Sequence, residues 1–349
     1  MSSIRRKRIL VAAGAVLVLL IGTIAALGYQ AWNDVNRVSI ERPPSEQPSG
    51  GNDDEEEPGE EFPLPADTEG VNIFLLVGSD SRDDLDNLEG FGAFAGQRAD
   101  VVMVLIRVEG GAAILSVPRD LLVDDPCRQR ETRVNALLAG CPDGINGPTL
   151  LTLAVEDLIG EKVDHYAMVD MAGFQHVVDG LGGYEICVDL PVRDLKSGLD
   201  LPAGCTVADG FQTLAWIRSR HTQELTDRGW RTVSGVSDLA RNERQRQFVI
   251  DMMGRLSSFS SPQQLASRAR TLAPWVTVDS ELAFTDAVGL AWAMRGISAG
   301  NVEELTIPVR FHTTDNGASV LVATDDVSEI VGTFLDAHRR TLSDSPSAG

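Results

Sequence analysis

Lysine is almost absent from this chain: only 3 of its 30 basic residues are lysine, and the other 27 are arginine. Any anion site must therefore be built from planar, permanently charged guanidinium groups rather than from ammonium points. Positive charge is scarce overall. The formal net charge is −21, which excludes a general binder of nucleic acid or other polyanions. The five histidines are scattered and no pair has ligand spacing, so nothing reads as a histidine metal site. HExxH, a Walker A loop and GxGxxG are all missing, which removes the zinc-protease, P-loop and dinucleotide readings. One GxSxG match exists, Gly296 to Gly300 around Ser298. A nucleophile elbow needs a strand before the serine and a helix after it, and here the order is reversed, so the match reads as a connecting loop.

Apolar residues make up 43% of the 349, enough for a real core and too many for a wholly disordered chain. The length fits two average domains, or one large α/β domain plus an anchor. Charge divides the chain in three: residues 1–40 sum to +4, 41–69 to −10 and 70–349 to −15.

Residues 1–8 hold Arg5, Arg6, Lys7 and Arg8, and an uncharged run follows from Ile9 to Leu27. Nineteen helical residues reach roughly 28 Å, close to the hydrocarbon thickness of a bilayer. The expectation is a single-pass transmembrane anchor over 9–29, with its basic end in the cytoplasm and the rest of the chain outside. A cleavable signal peptide is the competing reading, since Ala25 and Ala26 lie near the end of the run. Residues 30–69, with six prolines after position 42 and the acidic run Asp53 to Glu57, are expected to form an extended, unpacked extracytoplasmic linker.

The four cysteines agree with export. Cys127 and Cys141 close a loop of 15 residues, Cys187 and Cys205 one of 19, and there is no CxxC. The prediction is two sequence-local disulfides, Cys127–Cys141 and Cys187–Cys205; the alternative is four buried thiols.

From residue 71 the pattern alternates. The runs 71–77, 100–108 and 112–117 are short, apolar and β-rich, and read as strands buried on both faces. Helices are predicted at 148–159, 173–181, 208–217, 238–256, 282–296 and 326–340. Further strands are predicted at 164–170, 184–190 and 304–311. Interleaving of this kind implies a layered α/β/α domain with a central mixed sheet, over 70–340. Residues 341–349 read as a frayed tail.

Seven arginines fall within 218–246, a segment that is locally +3 in an acidic body. Guanidinium groups bind phosphate oxygens bidentately and lose less on desolvation than ammonium does. Arg241 and Arg244 stand three apart on one face of a predicted helix. A solvated charged helix, with Asp238 and Glu243 as local partners, is the alternative. The first strand runs into Asp80 at its carboxyl end, where α/β folds place ligands. Asp100 opens the next strand and Arg119 closes the third. Carboxylates near several arginines suit a divalent cation with a diphosphate. A turn-forming role for Asp80 is the plainer reading.

Eight blocks, in order, carry a resemblance: LLVGSDSR (75–82), RADVVMVLIRV (98–108), ILSVPRD (114–120), RVNALLAGC (133–141), VDHYAMVDMAGF (163–174), DGLGGYEICV (179–188), AWIRSR (215–220) and DLARNERQRQF (238–248). Together they resemble the LytR-CpsA-Psr family over about half the chain, and the order of anchor, linker and outer domain is that family's. The lysine-poor composition and paired cysteines suit an actinobacterial member.

The resemblance implies a phosphotransferase that moves a glycopolymer, with its proximal phosphate, from a polyprenyl-diphosphate carrier in the membrane onto peptidoglycan. Matched by motif, Asp80 and Asp100 would be the carboxylates of a Mg²⁺ (or Mn²⁺) site, with Arg98 and Arg119 beside them. Arg218, Arg220, Arg241 and Gln245, with Asp238, would grip and orient the diphosphate. For the base that deprotonates the acceptor hydroxyl, Asp80 and Asp238 are the two candidates. Two departures stand out: a long interval, 221–237, between Arg220 and Asp238, expected as a loop over the site, and Arg133 where the family has lysine. Two other classes compete: a non-catalytic module binding polyprenyl phosphates or glycans, and a polyprenyl-diphosphate phosphatase.

Overall fold

The structure, a computed structural model, describes residues 30, 32–42, 70–81, 97–108, 111–142, 144–233, 238–257, 262–284, 287, 302–314 and 317–343. The expected span 9–29, residues 43–69 of the linker, the expected helix beyond 287, the Gly296–Gly300 match and residues 344–349 lie outside these. Among the described residues no helix is long and apolar enough to cross a membrane.

The strands are β1 (Asn36–Val38), β2 (Asn72–Ser79), β3 (Ala99–Val108), β4 (Gly111–Val117), β5 (Leu122–Asp125), β6 (Arg130–Arg133), β7 (His165–Val169), β8 (Tyr184–Val188), β9 (Val192–Asp194), β10 (Leu199–Leu201), β11 (Gly204–Ala208), β12 (Gln223–Thr226), β13 (Gly229–Thr232), β14 (Thr277–Asp279), β15 (Val302–Leu305), β16 (Val309–Thr313) and β17 (Ser319–Ala323). The α-helices are α1 (Gly147–Ile159), α2 (Met171–Gly180), α3 (Gly210–Arg218), α4 (Asp238–Ser257), α5 (Pro262–Leu272) and α6 (Val327–Ser343).

Among the described residues, seven strands form the central sheet in the order β1-β14-β7-β2-β3-β4-β15. It is mixed: β2 lies parallel to β7 and antiparallel to β3. Its central strands are apolar on both faces because both are covered. Ile73, Leu75, Val104 and Ile106 pack with Leu151 and Val155 of α1 and Val331 and Leu335 of α6. Their neighbours Phe74, Met103 and Leu105 point the other way, onto Ile250 of α4. The strand period of two thus builds two cores from one sheet. Each fully buried Leu or Ile contributes roughly 1.5–3 kcal/mol. Helix α1 has the local signals that start and stop a helix. The Asn146 side chain accepts from the Thr149 amide, and Gly160 takes the left-handed conformation (φ 70°) that ends it.

Four expectations are corrected. The linker is shorter than 30–69. Strand β1 pairs in parallel with β14, Ile40 is buried, and Arg42 donates to the buried Glu156 (2.8 Å) and to the Val163 carbonyl (2.7 Å). Three apolar-and-polar anchors in seven residues are what composition alone conceals. The single strand expected at 304–311 is two, β15 and β16. Pro308 lies between them and has no N–H to continue the ladder with β4, so the chain turns away and pairs with β17. Within the interval 221–237, residues 223–232 are a hairpin, β12–β13, added to β9 in a four-stranded sheet, rather than a loop. Helix α6 continues to Ser343, so the first three residues of the tail expected from 341 are helical. Both expected disulfides are present, Cys127–Cys141 and Cys187–Cys205; the second joins directly opposed residues of β8 and β11.

Candidate functional site

A cleft of about 230 Å³ opens at the carboxyl ends of β2, β4 and β7, where the strand runs end and helices begin. Its lining is polar in Asp100, Arg119, Arg218, Arg220 and Gln245 and apolar in Val101, Met171, Phe174, Leu214 and Ile217.

Asp100 reaches this cleft through a β-bulge. Strands β2 and β3 keep register from Asn72↔Arg107 to Gly78↔Val101, then slip so that Ser79 faces Ala99. Asp100 is left as the extra residue. In a regular strand Asp100 and Val101 would point to opposite faces, yet both line the cleft. The bulge has re-aimed the carboxylate. Gly78 allows it, since a Cβ there would sit 3.0 Å from the Val101 Cβ.

Arg119 follows β4 and donates to Asp100 Oδ1 (2.7 Å) and Asp120 Oδ2 (3.2 Å). Burial works against its charge, but Asp100 and then Asp120 outweigh burial and hold the guanidinium above its ordinary pKa. Asp80 sits just past β2 and closes the end of the ladder. Its amide donates to the Arg98 carbonyl (3.0 Å), and its Oδ1 accepts from the Arg98 amide (2.7 Å). Asp80 is thus a cross-strand cap at the rim beside Ser79, rather than a local turn former. The Arg98 side chain is exposed and is not among the residues lining the cleft. Arg133 is also not among them; its Nη2 donates to the Ser319 carbonyl (3.1 Å), and its Nε lies 3.9 Å from Asp120.

Arg218 is the last residue of α3, and Ser219 leaves the helix in an extended conformation (φ −60°, ψ 128°). Extended backbone puts residues two apart on one side, so Arg218 and Arg220 both reach the cleft while Ser219 between them is buried. Gln245 of α4 joins them. Asp238 opens α4, and Arg241 stands one turn before Gln245; their side chains lie outside the described residues. Arg244, expected on one helix face with Arg241, serves the backbone. It donates to the Trp216 (2.6 Å) and Ser219 (2.7 Å) carbonyls, and its guanidinium lies over the Trp216 ring. Burial pulls its pKa below the ordinary arginine value, with Asp194 opposing.

The sequence reading missed Asp170 and Asp194, and expected an apolar pocket without locating its lining. Asp170 lines the cleft and caps α2 through the Gly173 amide (2.7 Å), a role legible in its place just before a helical run. Asp194 and that lining depend on tertiary contacts with no local signature.

Of the two carboxylates expected to hold a divalent cation, Asp100 lines the cleft and Asp80 is not among its lining residues. Each has one carboxylate oxygen with no protein hydrogen bond among the described residues. No cluster of three or more potential ligand residues exists there. A Mg²⁺ site needs only one or two carboxylates, with waters and substrate phosphates completing the shell.

The LytR_cpsA_psr family model matches residues 44–333. The chain is 36% identical over 258 residues to the Corynebacterium glutamicum "Probable cell wall biosynthesis protein LcpB", covering 70% of this chain and 56% of that one. It is 34% identical over 195 residues to the Oceanobacillus iheyensis "Polyisoprenyl-teichoic acid--peptidoglycan teichoic acid transferase TagU", covering 55% and 53%. The chain spans about half the length of these curated relatives. Among solved structures, the "LytR-Csp2A-Psr enzyme from Actinomyces oris" shares the fold, with a TM-score of 0.61 at 24% identity over 86% of this chain and 95% of that one. With the fold, the ordered motifs and a match running across most of its length, this chain belongs to the LytR_cpsA_psr family.

Proposed function

We propose that this protein transfers a glycopolymer, with its proximal phosphate, from a polyprenyl-diphosphate carrier to peptidoglycan. The observation that carries the reading is one cleft combining an acid–arginine pair, Asp100–Arg119, two further arginines, Arg218 and Arg220, and apolar lining residues. That combination suits an amphiphile with a doubly phosphorylated head. The printed names of the relatives, a teichoic acid transferase and a cell wall biosynthesis protein, support the same class.

In this reading the acceptor hydroxyl oxygen bonds to the phosphorus that carries the glycan, and the bond from that phosphorus to the polyprenyl-phosphate oxygen breaks. Polyprenyl phosphate leaves, and the acceptor proton passes to a carboxylate, Asp80 or Asp238. Arg218 and Arg220 hold phosphate oxygens by charge-assisted hydrogen bonds. Arg119, kept in place by Asp100 and Asp120, faces the charge that builds on the transferring group. Such transfer is mostly positioning and charge stabilisation, so no covalent nucleophile is required. Asp80 and Asp100 would hold Mg²⁺ or Mn²⁺, which when bound neutralises phosphate charge. The apolar run 9–29 would anchor the chain, with the cleft on the outer side where carrier and wall meet.

The test uses the full chain in detergent with a short-chain polyprenyl-diphosphate oligosaccharide, peptidoglycan fragments and Mg²⁺, with products read by mass spectrometry. The expected product is a phosphodiester-linked sugar on the glycan, lost with chelator and in Arg218→Ala. Bound lipid without product would point to a binding module, and inorganic phosphate without polymer transfer to a phosphatase.

A further inference from the structure

The arginine pair depends on a carboxylate outside the cleft lining. Asp194 ends β9 and is 2% exposed. Its Oδ2 accepts from the Ser219 hydroxyl (2.7 Å), the Arg220 amide (3.2 Å) and the His221 amide (3.0 Å). Its Oδ1 accepts from the Lys196 amide (2.9 Å). The Ser219 hydroxyl is spent on Asp194, so the Thr222 hydroxyl is the donor in their 2.6 Å contact. Three consecutive residues, 219 to 221, are thereby tied to one buried oxygen.

The tie matters because of where it falls. Had α3 continued, Arg218 and Arg220 would point about 200° apart around the helix. The break at Ser219 puts both on the cleft side, and Asp194 holds that break from below. On the other side, Arg244 takes the Ser219 carbonyl and shares the Trp216 carbonyl with the Ser219 amide (3.3 Å). The hairpin of the 221–237 interval supports the same carboxylate. Strand β12 pairs with β9 at Gln223↔Arg193. The Arg193 side chain donates to Gln223 Oε1 (3.0 Å) and lies 4.1 Å from the Trp230 ring centroid. Burial pushes the Asp194 carboxyl up, and the hydrogen bonds from Ser219 and from the Lys196, His221 and Arg220 amides bring it below its ordinary range. It is built to be an anion.

We propose that Asp194 is the positioning residue of the arginine pair, braced by the hairpin that this chain carries between Arg220 and Asp238. The proposal rests on the reading of the cleft as a diphosphate site. Its test pairs two readouts on the full chain in detergent: calorimetric titration with inorganic diphosphate plus Mg²⁺, and amide hydrogen exchange at Arg220 and His221. Asp194→Asn should weaken diphosphate binding by roughly tenfold or more and speed exchange at both amides by a similar factor. Ser219→Ala, which keeps the Asp194 charge and loses only the hydroxyl's bonds to Asp194 and from Thr222, should move both readouts less and in the same direction. Glu156→Gln alters another buried carboxylate, on α1, that touches neither the cleft nor this turn; it should lower the melting temperature and leave both readouts unchanged. Unchanged affinity and exchange in folded Asp194→Asn, or an equal loss of affinity in Glu156→Gln, would overturn the proposal. If Asp194→Asn does not fold, Ser219→Ala decides by the same criteria. If the wild-type chain binds no diphosphate, it is the reading of the cleft that fails. Exchange at Arg220 and His221 still judges Asp194, and amides that stay protected in the variant would count against it.

Discussion

The two halves of the cleft are built by different means. Asp80, Asp100 and Arg119 stand at the ends of central strands, where the ladder itself and one bulge place them. Arg218 and Arg220 hang on a two-residue departure from a helix end, held by a buried carboxylate below and a guanidinium above. The sheet half takes its rigidity from hydrogen bonds that the fold needs anyway. The arginine half needs a dedicated polar network, and buried networks are costly when any member is left unpaired. Damage to the first should therefore be chemical and local, and damage to the second should spread through the turn.

The largest effect is expected where charge meets the transferring group. Arg119→Ala should lower the transfer rate roughly a thousandfold with little change in melting temperature, because the side chain is partly exposed. A large loss of stability would show that the sheet half is less self-sufficient than described. Away from both halves, Arg42→Ala strands the buried Glu156 and should cost about 3 kcal/mol in denaturant unfolding. Diphosphate affinity of the folded protein should be unaltered. Cys187→Ser should cost a similar or slightly smaller amount, about 3 kcal/mol at most. Strand β8 packs beside α3, so faster amide exchange should appear around Ser219 before it appears along β2 and β3.

The smallest effect is a pH dependence confined to the arginine half. The folded pKa of Asp194 lies below its unfolded value, so its contribution to stability is complete above about pH 4 and is lost as the pH falls through the folded value. Asp194→Asn should lack that component, worth about 1–2 kcal/mol, so its acid unfolding curve should approach the wild-type curve below pH 4. Parallel curves across that window would remove Asp194 as an ionised anchor. Asp125 and Asp279 are shifted the same way and contribute to both curves equally.

Much of this architecture was legible in the chain. The runs that became β2, β3 and β4 were readable because strands covered on both faces are apolar throughout. Helix α1 announced itself with Asn146, Pro148 and Gly160. The sequence-local cysteine pairs closed as expected. What escaped was whatever depends on a partner distant in sequence. Residues 36–42 look like linker by composition, and only β14 and Glu156 make them part of the body. A soluble fragment beginning at residue 70 would strip that strand from the sheet. Within the site, the motifs named Asp100, Arg119, Arg218, Arg220 and Gln245, which the cleft brings together. They left Arg244 out of the diphosphate grip but did not show that it serves the backbone, because a helix face says nothing about which carbonyls lie opposite. Asp194, two residues before Lys196-Ser197-Gly198, reads as an ordinary turn acid until Ser219 is seen against it.

The most direct test of a cleft assembled from two halves is a double-mutant cycle. The full chain, Arg119→Ala, Arg218→Ala and the double variant would be titrated with a short-chain polyprenyl diphosphate in Mg²⁺. If both arginines grip the same diphosphate, each single change should weaken binding at least tenfold and the two should couple by about 0.5–3 kcal/mol. Losses confined to one arginine, or single changes that leave affinity untouched, would contradict a shared diphosphate site.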